Sequence, residues 1–387
     1  MINYGRQYID KSDIKAVTKV LTGNWLTQGP QIENFEKALK LKFGAKHCVA
    51  LSSGTAALHL AGLALGWKKG DVVLSSPMSF SAASNCILYS NATPAFVDID
   101  KSSYNIDIDK LEKKIKRLNS KSKKVVAIVA TDYAGNPCDW QSLKFIASKY
   151  NVKLINDNCH AIGASYNKDK NYAVRYADIV THSYHPVKNI TTGEGGSILT
   201  NNRKIFDKIK ILRSHGITRD PKLMLSNEGP WYYEMHELGY NYRITDIQCA
   251  LGISQLKKIN KFLKRRREIA KIYNDNFSRA AVYSVPSVKK NCSHAYHLYP
   301  LQINFNKLHI SKKLLFQKMR SKKINLQVHY VPIHLHPYYK KRYNFKLGDF
   351  PVAEQFYRKV VSLPIYFSIK DSQIFKVIKF VNKFCHI

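Results

Sequence analysis

Short apolar runs alternate with helical segments from about residue 46 to residue 200. Each run is continuously apolar, which is typical of parallel strands that are buried on both faces of a sheet. The predicted strands are CVAL (48–51), VVLSS (72–76), PAFVDI (94–99), VVAIVATD (125–132), VKLIND (152–157), ADIVTHS (177–183) and GSILTNN (196–202). Segments between them, such as 54–65 and 139–150, predict helices. The pattern therefore indicates an α/β fold on a mostly parallel, seven-stranded sheet.

The pattern changes after a long predicted helix near 247–277. The segments HAYHLYPLQI (294–303) and INLQVHYVPI (324–333), with a helix around 311–321 between them, indicate a smaller α+β domain. We therefore predict an N-terminal arm (1–12), a large domain (13–255) and a small C-terminal domain (256–387). This last boundary falls inside the long helix.

Composition narrows the class of protein. Of the 387 residues, 45% are hydrophobic and 12% aromatic, which is typical of a globular chain. The sequence has no run of about 18 apolar residues, so we expect no membrane span. The first residues lack the basic-then-apolar pattern of a secretory signal, so we expect a cytoplasmic protein. The seven cysteines are scattered, which favours reduced thiols and no metal site.

The net charge of +35 admits two interpretations. Such a charge can indicate a protein that binds nucleic acid or another polyanion. The lysines, however, are spread along the chain on one side of predicted helices, as in LEKKIKRL (111–118), where the apolar positions lie on the other side. We favour a solvated basic surface that attracts a small anionic substrate, with no nucleic-acid or membrane partner. A basic binding protein is the alternative.

Three predicted strand ends carry polar residues of different kinds. The first is SSGTAALHLA (52–61), where Gly54 begins a helix and Ser52, Ser53 and Thr55 supply hydroxyl groups. The free N–H groups and the positive dipole end of a helix N-terminus bind phosphate. Ordinary helix capping is the alternative interpretation of this segment.

The second strand end is Asp157 in NDNCHAIGA, which follows an apolar run and has no local cation. A protonated ring nitrogen of a ligand would explain such a carboxylate, through a charge-assisted hydrogen bond. His160, three residues later, would lie against the same ligand. A helix cap and a satisfied buried histidine are the alternatives.

The third feature is Lys188 in HSYHPVKNITTGEGG (182–196), between a strand and a glycine-rich turn. A lysine in a desolvated pocket loses its proton readily and becomes a nucleophile. A phosphate seat, a strand-end Asp and a downstream Lys together match the phosphate, ring nitrogen and aldehyde of pyridoxal 5′-phosphate.

These motifs, with RSHGI (213–217) and LGYNYRITDIQCALG (238–252), resemble the DegT/DnrJ/EryC1/StrS sugar aminotransferases. The resemblance extends from YGRQYID and NWLTQGP (24–30) to VSLPIY (361–366). It implies the aspartate aminotransferase fold (fold type I) and dependence on pyridoxal phosphate. One departure is SSGT, where some relatives have Asn-Ser-Ala-Thr.

The resemblance implies a role for each matching position at the cofactor. The cofactor-binding residues would be Gly54, Thr55, Phe80, Asp157, His160, Ser183, Lys188 and Asn241. Lys188 would be the catalytic residue and form the Schiff base, and Asp157 would pair with the ring nitrogen. Phe80 and His160 would cover the two ring faces. Asn241 would reach the phosphate of a neighbouring subunit, which makes a homodimer with shared active sites.

A second set would bind the substrate. Its members would be Tyr4, Asn24, Trp25, Leu26, Thr27, Ser53, Gln327, Val328, His329 and Tyr330. Alternatives stay open for several: Tyr4 as part of a disordered arm, Trp25 as a packing residue, and His329 and Tyr330 as sheet core or interface.

The segments 326–339, 348–357 and 362–364 favour the branch of the family that acts in pseudaminic acid synthesis. The implied reaction transfers the amino group of L-glutamate to C4 of a UDP-4-keto-6-deoxy-N-acetylhexosamine. An aminotransferase for another nucleotide 4-keto sugar, of the bacillosamine or perosamine type, is the alternative. A pyridoxamine-dependent sugar dehydratase is disfavoured, because those relatives carry His where this chain has Lys188.

Overall fold

The seven predicted strands form one sheet in the computed structural model, which describes residues 1–308 and 310–385. The strands are β1 (His47–Leu51), β2 (Asp71–Ser75), β3 (Thr93–Phe96), β4 (Lys124–Thr131), β5 (Lys153–Asp157), β6 (Ile179–Ser183) and β7 (Gly196–Thr200). They lie in the order β1-β7-β6-β5-β4-β2-β3, and β7 runs in the opposite direction to the other six strands. The predicted mostly parallel sheet is therefore confirmed.

Helices cover both faces of this sheet. The helices up to the end of the long one are α1 (Lys11–Leu21), α2 (Pro30–Phe43), α3 (Gly54–Ala64), α4 (Ala82–Tyr89), α5 (Ile108–Asn119), α6 (Trp140–Lys149), α7 (Tyr172–Tyr176), α8 (Arg203–Leu212) and α9 (Asp246–Phe277). Within β4, Ile128 and Ala130 pack in the apolar cluster of α2, α5 and α6. Their neighbours Ala127 and Val129 pack in the cluster of α3 and α4 on the opposite face. Burial on both faces explains why the strand sequences are continuously apolar.

Two short strands lie between α8 and α9, and the remaining elements follow α9. In chain order, these strands and elements are β8 (Ile217–Thr218), β9 (Glu234–Met235), β10 (Tyr283–Ser284), β11 (Tyr299–Ile303), α10 (Lys312–Ser321), α11 (Pro337–Tyr343), α12 (Pro351–Lys359), β12 (Val360–Leu363) and α13 (Asp371–Phe384). β10, β11 and β12 form a second, antiparallel sheet. The α+β character predicted for the C-terminal third is therefore present.

The 32-residue helix α9 passes from one apolar core to the other. Its side chains up to Leu263 pack with the large sheet, whereas those from Ile269 onward pack with the second sheet. The predicted boundary at 255/256 lies within the part of α9 that packs with the large sheet, and the division into domains stays a prediction.

The N-terminal arm is held by backbone hydrogen bonds. Ile2 N–H donates to the Lys323 carbonyl at 2.8 Å, and the Tyr4 carbonyl accepts from Ile365 N–H at 3.0 Å. These bonds argue against a disordered arm. All seven cysteines are free thiols. Among the helices described, none combines the length and apolarity needed to cross a bilayer.

Candidate active site

A cavity of about 410 Å³ lies where β5 and β6 end and α3 begins. It brings together most of the residues predicted from the sequence. These are Tyr4, Ser53, Gly54, Thr55, Phe80, Asp157, His160, Ser183, Lys188, His329 and Tyr330. Ligands bind at this edge of parallel sheets because the strand ends and helix N-termini converge there.

One end of the cavity is the N-terminus of α3. Ser53 caps the helix, since its Oγ accepts a hydrogen bond from Ala56 N–H at 3.0 Å. The backbone is tightly packed here: a Cβ on Gly54 would lie 2.7 Å from Ser183 Cβ, and one on Gly196 would lie 2.3 Å from the Ser53 carbonyl oxygen. Glycine therefore lets two strands approach the start of α3, which gives a small, positively polarised seat for an anion.

The Asp157 carboxylate ends β5 and is only 6% exposed. Its oxygens accept hydrogen bonds from the Thr131 hydroxyl at 3.1 Å and from Cys159 N–H at 3.3 Å. No Lys or Arg of the described chain forms a salt bridge with it. An ionised carboxylate has about four acceptor positions, so part of this capacity is free for a cationic donor in the cavity.

Lys188 lies in the turn after β6, where its backbone N–H donates to the His185 carbonyl at 2.8 Å. Burial lowers the pKa of the Lys188 amine, while nearby Cys159 and Asp157 act in the opposite direction. This amine loses its proton more readily than that of a surface lysine, as a nucleophile or base requires.

Aromatic and imidazole rings form the wall beside Lys188. His160 Nε2 and the Tyr330 hydroxyl lie 3.0 Å apart, and His329 Nδ1 lies 2.9 Å from Ser362 Oγ. Burial lowers the pKa of His160 well below its usual value and that of His329 to about 3. Both rings are therefore neutral near pH 7. The Phe80 ring, 57% exposed, lies 5.9 Å from that of Tyr330.

Some predicted substrate residues lie outside this cavity. Asn24 and Trp25 border a separate cavity of about 420 Å³ beside α1 and α9. Leu26 and Thr27 are exposed, and their backbone pairs with the start of α9.

The other predicted residues outside the cavity are Gln327, Val328 and Asn241. Gln327 is exposed and pairs through its backbone with Ser362, whereas Val328 packs in an adjacent apolar cluster. Asn241 is exposed and pairs through its backbone with Ser214. One chain alone does not bring these residues to Lys188.

The sequence did not single out His297, Cys159 and Glu194, which also line the cavity. The His297 ring lies 4.5 Å from that of His160. The only local signal for His297 was its polarity within the apolar run HAYHLYPLQI, which equally suits a satisfied core residue. Cys159 could have been found from its position between Asp157 and His160.

The residues present fit pyridoxal phosphate. The cavity combines a helix N-terminus, a buried carboxylate with free acceptor capacity and a buried amine, one for each polar group of the cofactor. In addition, the Nδ1 atom of His160 is buried without a hydrogen-bond partner in the described protein. Buried polar atoms usually have a hydrogen-bond partner, so this atom needs an explanation, which a bound ligand would supply.

Comparison with known proteins gives the same indication. The sequence pattern of the DegT/DnrJ/EryC1/StrS aminotransferase family matches residues 7–382. The chain is 42% identical over 378 residues to the uncharacterized protein MJ1066 of Methanocaldococcus jannaschii, covering 98% of this chain and 96% of that one. It is 40% identical over 380 residues to the UDP-4-amino-4,6-dideoxy-N-acetyl-β-L-altrosamine transaminase of Campylobacter jejuni, covering 97% and 96%.

A solved structure shares the whole fold. PseC of Helicobacter pylori, an aminotransferase involved in the biosynthesis of pseudaminic acid, superposes with a TM-score of 0.89 at 31% identity. The match covers 100% of this chain and 99% of that one.

Proposed function

The chain belongs to the DegT/DnrJ/EryC1/StrS family of pyridoxal-phosphate-dependent sugar aminotransferases, and from this premise we propose its specific reaction. The enzyme transfers the amino group of L-glutamate to C4 of UDP-2-acetamido-2,6-dideoxy-β-L-arabino-hex-4-ulose. The product is UDP-4-amino-4,6-dideoxy-N-acetyl-β-L-altrosamine, a precursor of pseudaminic acid. The convergence of Lys188, Asp157 and the α3 N-terminus on one cavity carries the proposed amino-transfer chemistry. The choice of sugar is supported by the 40% identity to the Campylobacter jejuni transaminase.

Six residues of one chain would hold the cofactor. The N–H groups of Gly54 and Thr55, with the hydroxyl of Ser183, would bind the phosphate, because they line the same end of the cavity. Asp157 would accept a hydrogen bond from the protonated ring nitrogen, in an orientation that Thr131 fixes. Phe80 and His160 would cover the ring, since both border the cavity beside Tyr330.

When bound, pyridoxal phosphate supplies an electron sink for the carbanion that forms when an amino-bearing carbon loses its proton. Lys188 is the group that would take up this proton and return it. Its lowered pKa suits this task, because a base works best when its pKa lies near the working pH. The neutral imidazoles of His160 and His329 add no further cationic charge beside the amine.

Tyr4, Ser53, His329 and Tyr330, which border the same cavity, would face the sugar. The remaining predicted contacts, Asn241 to the phosphate and 24–27 to the substrate, would come from a second copy of the chain. Their exposure in the single chain supports this arrangement. We therefore propose a homodimer with two shared active sites. We propose separately that the enzyme acts in the cytoplasm.

Spectroscopy of the purified protein tests the cofactor assignment. The wild type should absorb visible light after incubation with pyridoxal phosphate, and borohydride reduction should fix the label on the peptide that contains Lys188. Lys188→Ala should abolish turnover, whereas Lys204→Ala, at an exposed lysine of α8, should not change it. A wild type without a chromophore that binds polyanions in a steeply salt-dependent way would instead indicate the basic binding protein.

The substrate requires a separate experiment. A panel of UDP- and GDP-linked 4-keto sugars is offered with L-glutamate, and each product is identified by mass spectrometry and by NMR at the new C–N centre. The proposal expects the β-L-arabino-hex-4-ulose to give the highest kcat/KM. A higher value for a bacillosamine or perosamine precursor would assign the enzyme to that branch of the family.

A further inference from the structure

His297 borders the cavity but belongs to neither the cofactor set nor the substrate set. It lies just before β11, and its side chain is only 5% exposed. Its Nδ1 atom is buried without a hydrogen-bond partner in the described part of the chain. A buried imidazole that makes no hydrogen bond through Nδ1 costs free energy, so its retention beside Lys188 needs an explanation.

The ring of His297 packs against another imidazole. The centroids of His297 and His160 are 4.5 Å apart, with the ring planes inclined by 38°. His160 is fixed at a second point, because its Nε2 lies 3.0 Å from the Tyr330 hydroxyl. Its other ring neighbours are more distant, with the centroids of Tyr330 and Tyr133 at 6.0 and 6.4 Å. The orientation of His160 therefore depends on one hydrogen bond and on ring contacts, of which that with His297 is the shortest.

The backbone of His297 is clamped. The guanidinium of Arg266, a buried residue of α9, donates through Nη1 to the carbonyls of Tyr296 at 2.9 Å, His297 at 3.3 Å and Ile365 at 3.0 Å. The next residue, Leu298, donates its N–H to the Ala134 carbonyl at 3.2 Å. His297 therefore projects from a backbone with little freedom to move.

Gly135 couples this backbone to that of His160. A Cβ on Gly135 would lie 2.8 Å from the His160 carbonyl oxygen and 3.0 Å from Tyr296 N. The two histidines thus extend from segments that touch across a glycine, and their separation is set by main-chain packing.

The charge of the pair is also determined by its surroundings. Burial, together with the nearby charge of Lys188, lowers the pKa of both His160 and His297 well below the usual value. Arg266 acts on His297 in the same direction. The two rings are therefore in contact as neutral imidazoles over the working pH range of an enzyme.

We propose that His297 is a positioning residue for His160: from its clamped backbone it packs against the His160 imidazole and fixes the orientation in which that ring meets the cofactor. This role rests on the proposed function. It acts through ring contact, so an aromatic side chain at 297 preserves it and an aliphatic one of similar volume does not.

The test measures the dissociation constant of pyridoxal phosphate from the apo-protein by absorbance titration, together with kcat and KM. His297→Leu should raise the Kd about three- to tenfold, which corresponds to the loss of one aromatic contact. It should also shift the absorbance maximum of the bound cofactor and lower kcat, with KM for the sugar unchanged. His297→Phe should stay within about twofold of the wild type in Kd.

Two controls separate positioning from general packing. His294→Asn changes another buried histidine of the same segment, which stacks on Tyr296 and does not border the cavity. The Asn side chain can still accept the hydrogen bond that His294 Nδ1 accepts from Tyr296 N–H at 2.8 Å, so Kd should stay unchanged. In a His160→Ala background, His297→Leu should have no further effect on Kd, because the ring that His297 positions is gone. If the His297→Leu variant does not fold, His297→Gln replaces it, and we expect the same rise in the Kd for pyridoxal phosphate.

Several outcomes would overturn the inference. The first is a wild-type Kd in His297→Leu, and the second is an equal rise in Kd in His297→Phe. The others are an equal rise in Kd in His294→Asn and full additivity of His297→Leu with His160→Ala. A wild type that does not bind pyridoxal phosphate would instead overturn the proposed function, so the two failures are distinguishable.

Discussion

Two aspartates at the ends of neighbouring strands have opposite surroundings. Asp132 follows β4 directly and is completely buried, and its two carboxylate oxygens accept four hydrogen bonds. The donors are Cys138 N–H at 2.7 Å, Trp140 Nε1 at 2.9 Å, Asn158 Nδ2 at 3.0 Å and the Tyr172 hydroxyl at 2.6 Å. Burial raises the pKa of Asp132 to about 6, although the hydrogen bonds from Tyr172, Cys138 and Trp140 act in the opposite direction. Its acceptor capacity is used up within the protein.

Asp157 ends the adjacent strand β5 and, within residues 1–308 and 310–385, accepts only two hydrogen bonds, from the Thr131 hydroxyl and from Cys159 N–H. It borders the cavity with Lys188, whereas Asp132 does not. A buried strand-end carboxylate is therefore a ligand site only when the protein leaves acceptor positions unfilled. Asp132 organises the fold, and the proposed role of Asp157 is to hold a cofactor.

The largest effect should come from Asp157→Ala. We expect kcat to fall about 10²- to 10³-fold, because the ring nitrogen loses the charge that keeps it protonated. The free energy of unfolding should change by less than about 1 kcal/mol, since water in the cavity can satisfy the hydroxyl and the N–H left behind. Steady-state kinetics and urea denaturation measure the two quantities. An unchanged kcat would show that Asp157 does not have the proposed role at the cofactor.

The mirror-image variant is Asp132→Ala. It leaves four buried donors without acceptors, so we expect a loss of at least about 3 kcal/mol in the free energy of unfolding. Pyridoxal phosphate bound to the fraction that remains folded should keep its wild-type absorbance maximum. The same urea denaturation applies, at a temperature where the variant is folded. Stability equal to that of the wild type would show that the four hydrogen bonds do not distinguish the two sites.

A smaller effect should follow from Thr131→Val, which removes one donor to Asp157 with little change of shape. Because the carboxylate is then less well oriented, kcat should fall about tenfold, with stability changed by about 1 kcal/mol. Thr181→Val is the matched control, since this buried hydroxyl on β6 donates to the Asn156 carbonyl and not to Asp157. Equal losses of kcat in both variants would assign the effect to packing.

The smallest effect is a shift along the pH axis. Cofactor capture by the apo-protein requires the neutral Lys188 amine, so its rate should rise with pH and level off above the amine's pKa. Burial lowers that pKa, so the rise should come at a lower pH than for an exposed lysine. Asp157 raises the same pKa, so Asp157→Ala should move the profile to still lower pH. Stopped-flow absorbance measures the rate. A shift in the opposite direction would contradict the argument.

Much of the fold and part of the site follow from local sequence. The apolar runs fixed the number of strands and their places in the chain, because burial on both faces leaves little freedom in composition. Lys188, Asp157 and Gly54 were placed together because the carboxyl ends of parallel strands meet at one edge. Their roles toward the cofactor stay a prediction.

Other features depend on contacts between residues far apart in the sequence. Asp132 appeared only as the end of a predicted strand, since its donors come from three separate segments. His297 lay in a segment (294–303) whose strand begins only at Tyr299. Asn24 and Asn241 are exposed in the single chain, and no local pattern could have shown whether a second copy of the chain contacts them.

The crowding around Gly54 and Gly196 has an evolutionary consequence. Every other amino acid brings a Cβ, which at these two positions meets Ser183 Cβ at 2.7 Å or the Ser53 carbonyl oxygen at 2.3 Å. No conservative replacement exists for either glycine. A side chain proposed to face the sugar, such as the half-buried Tyr4, is not confined in this way and tolerates exchange more readily. Under the proposed function, a lineage can therefore change the sugar it accepts by single mutations, whereas the segment proposed to bind the phosphate stays fixed.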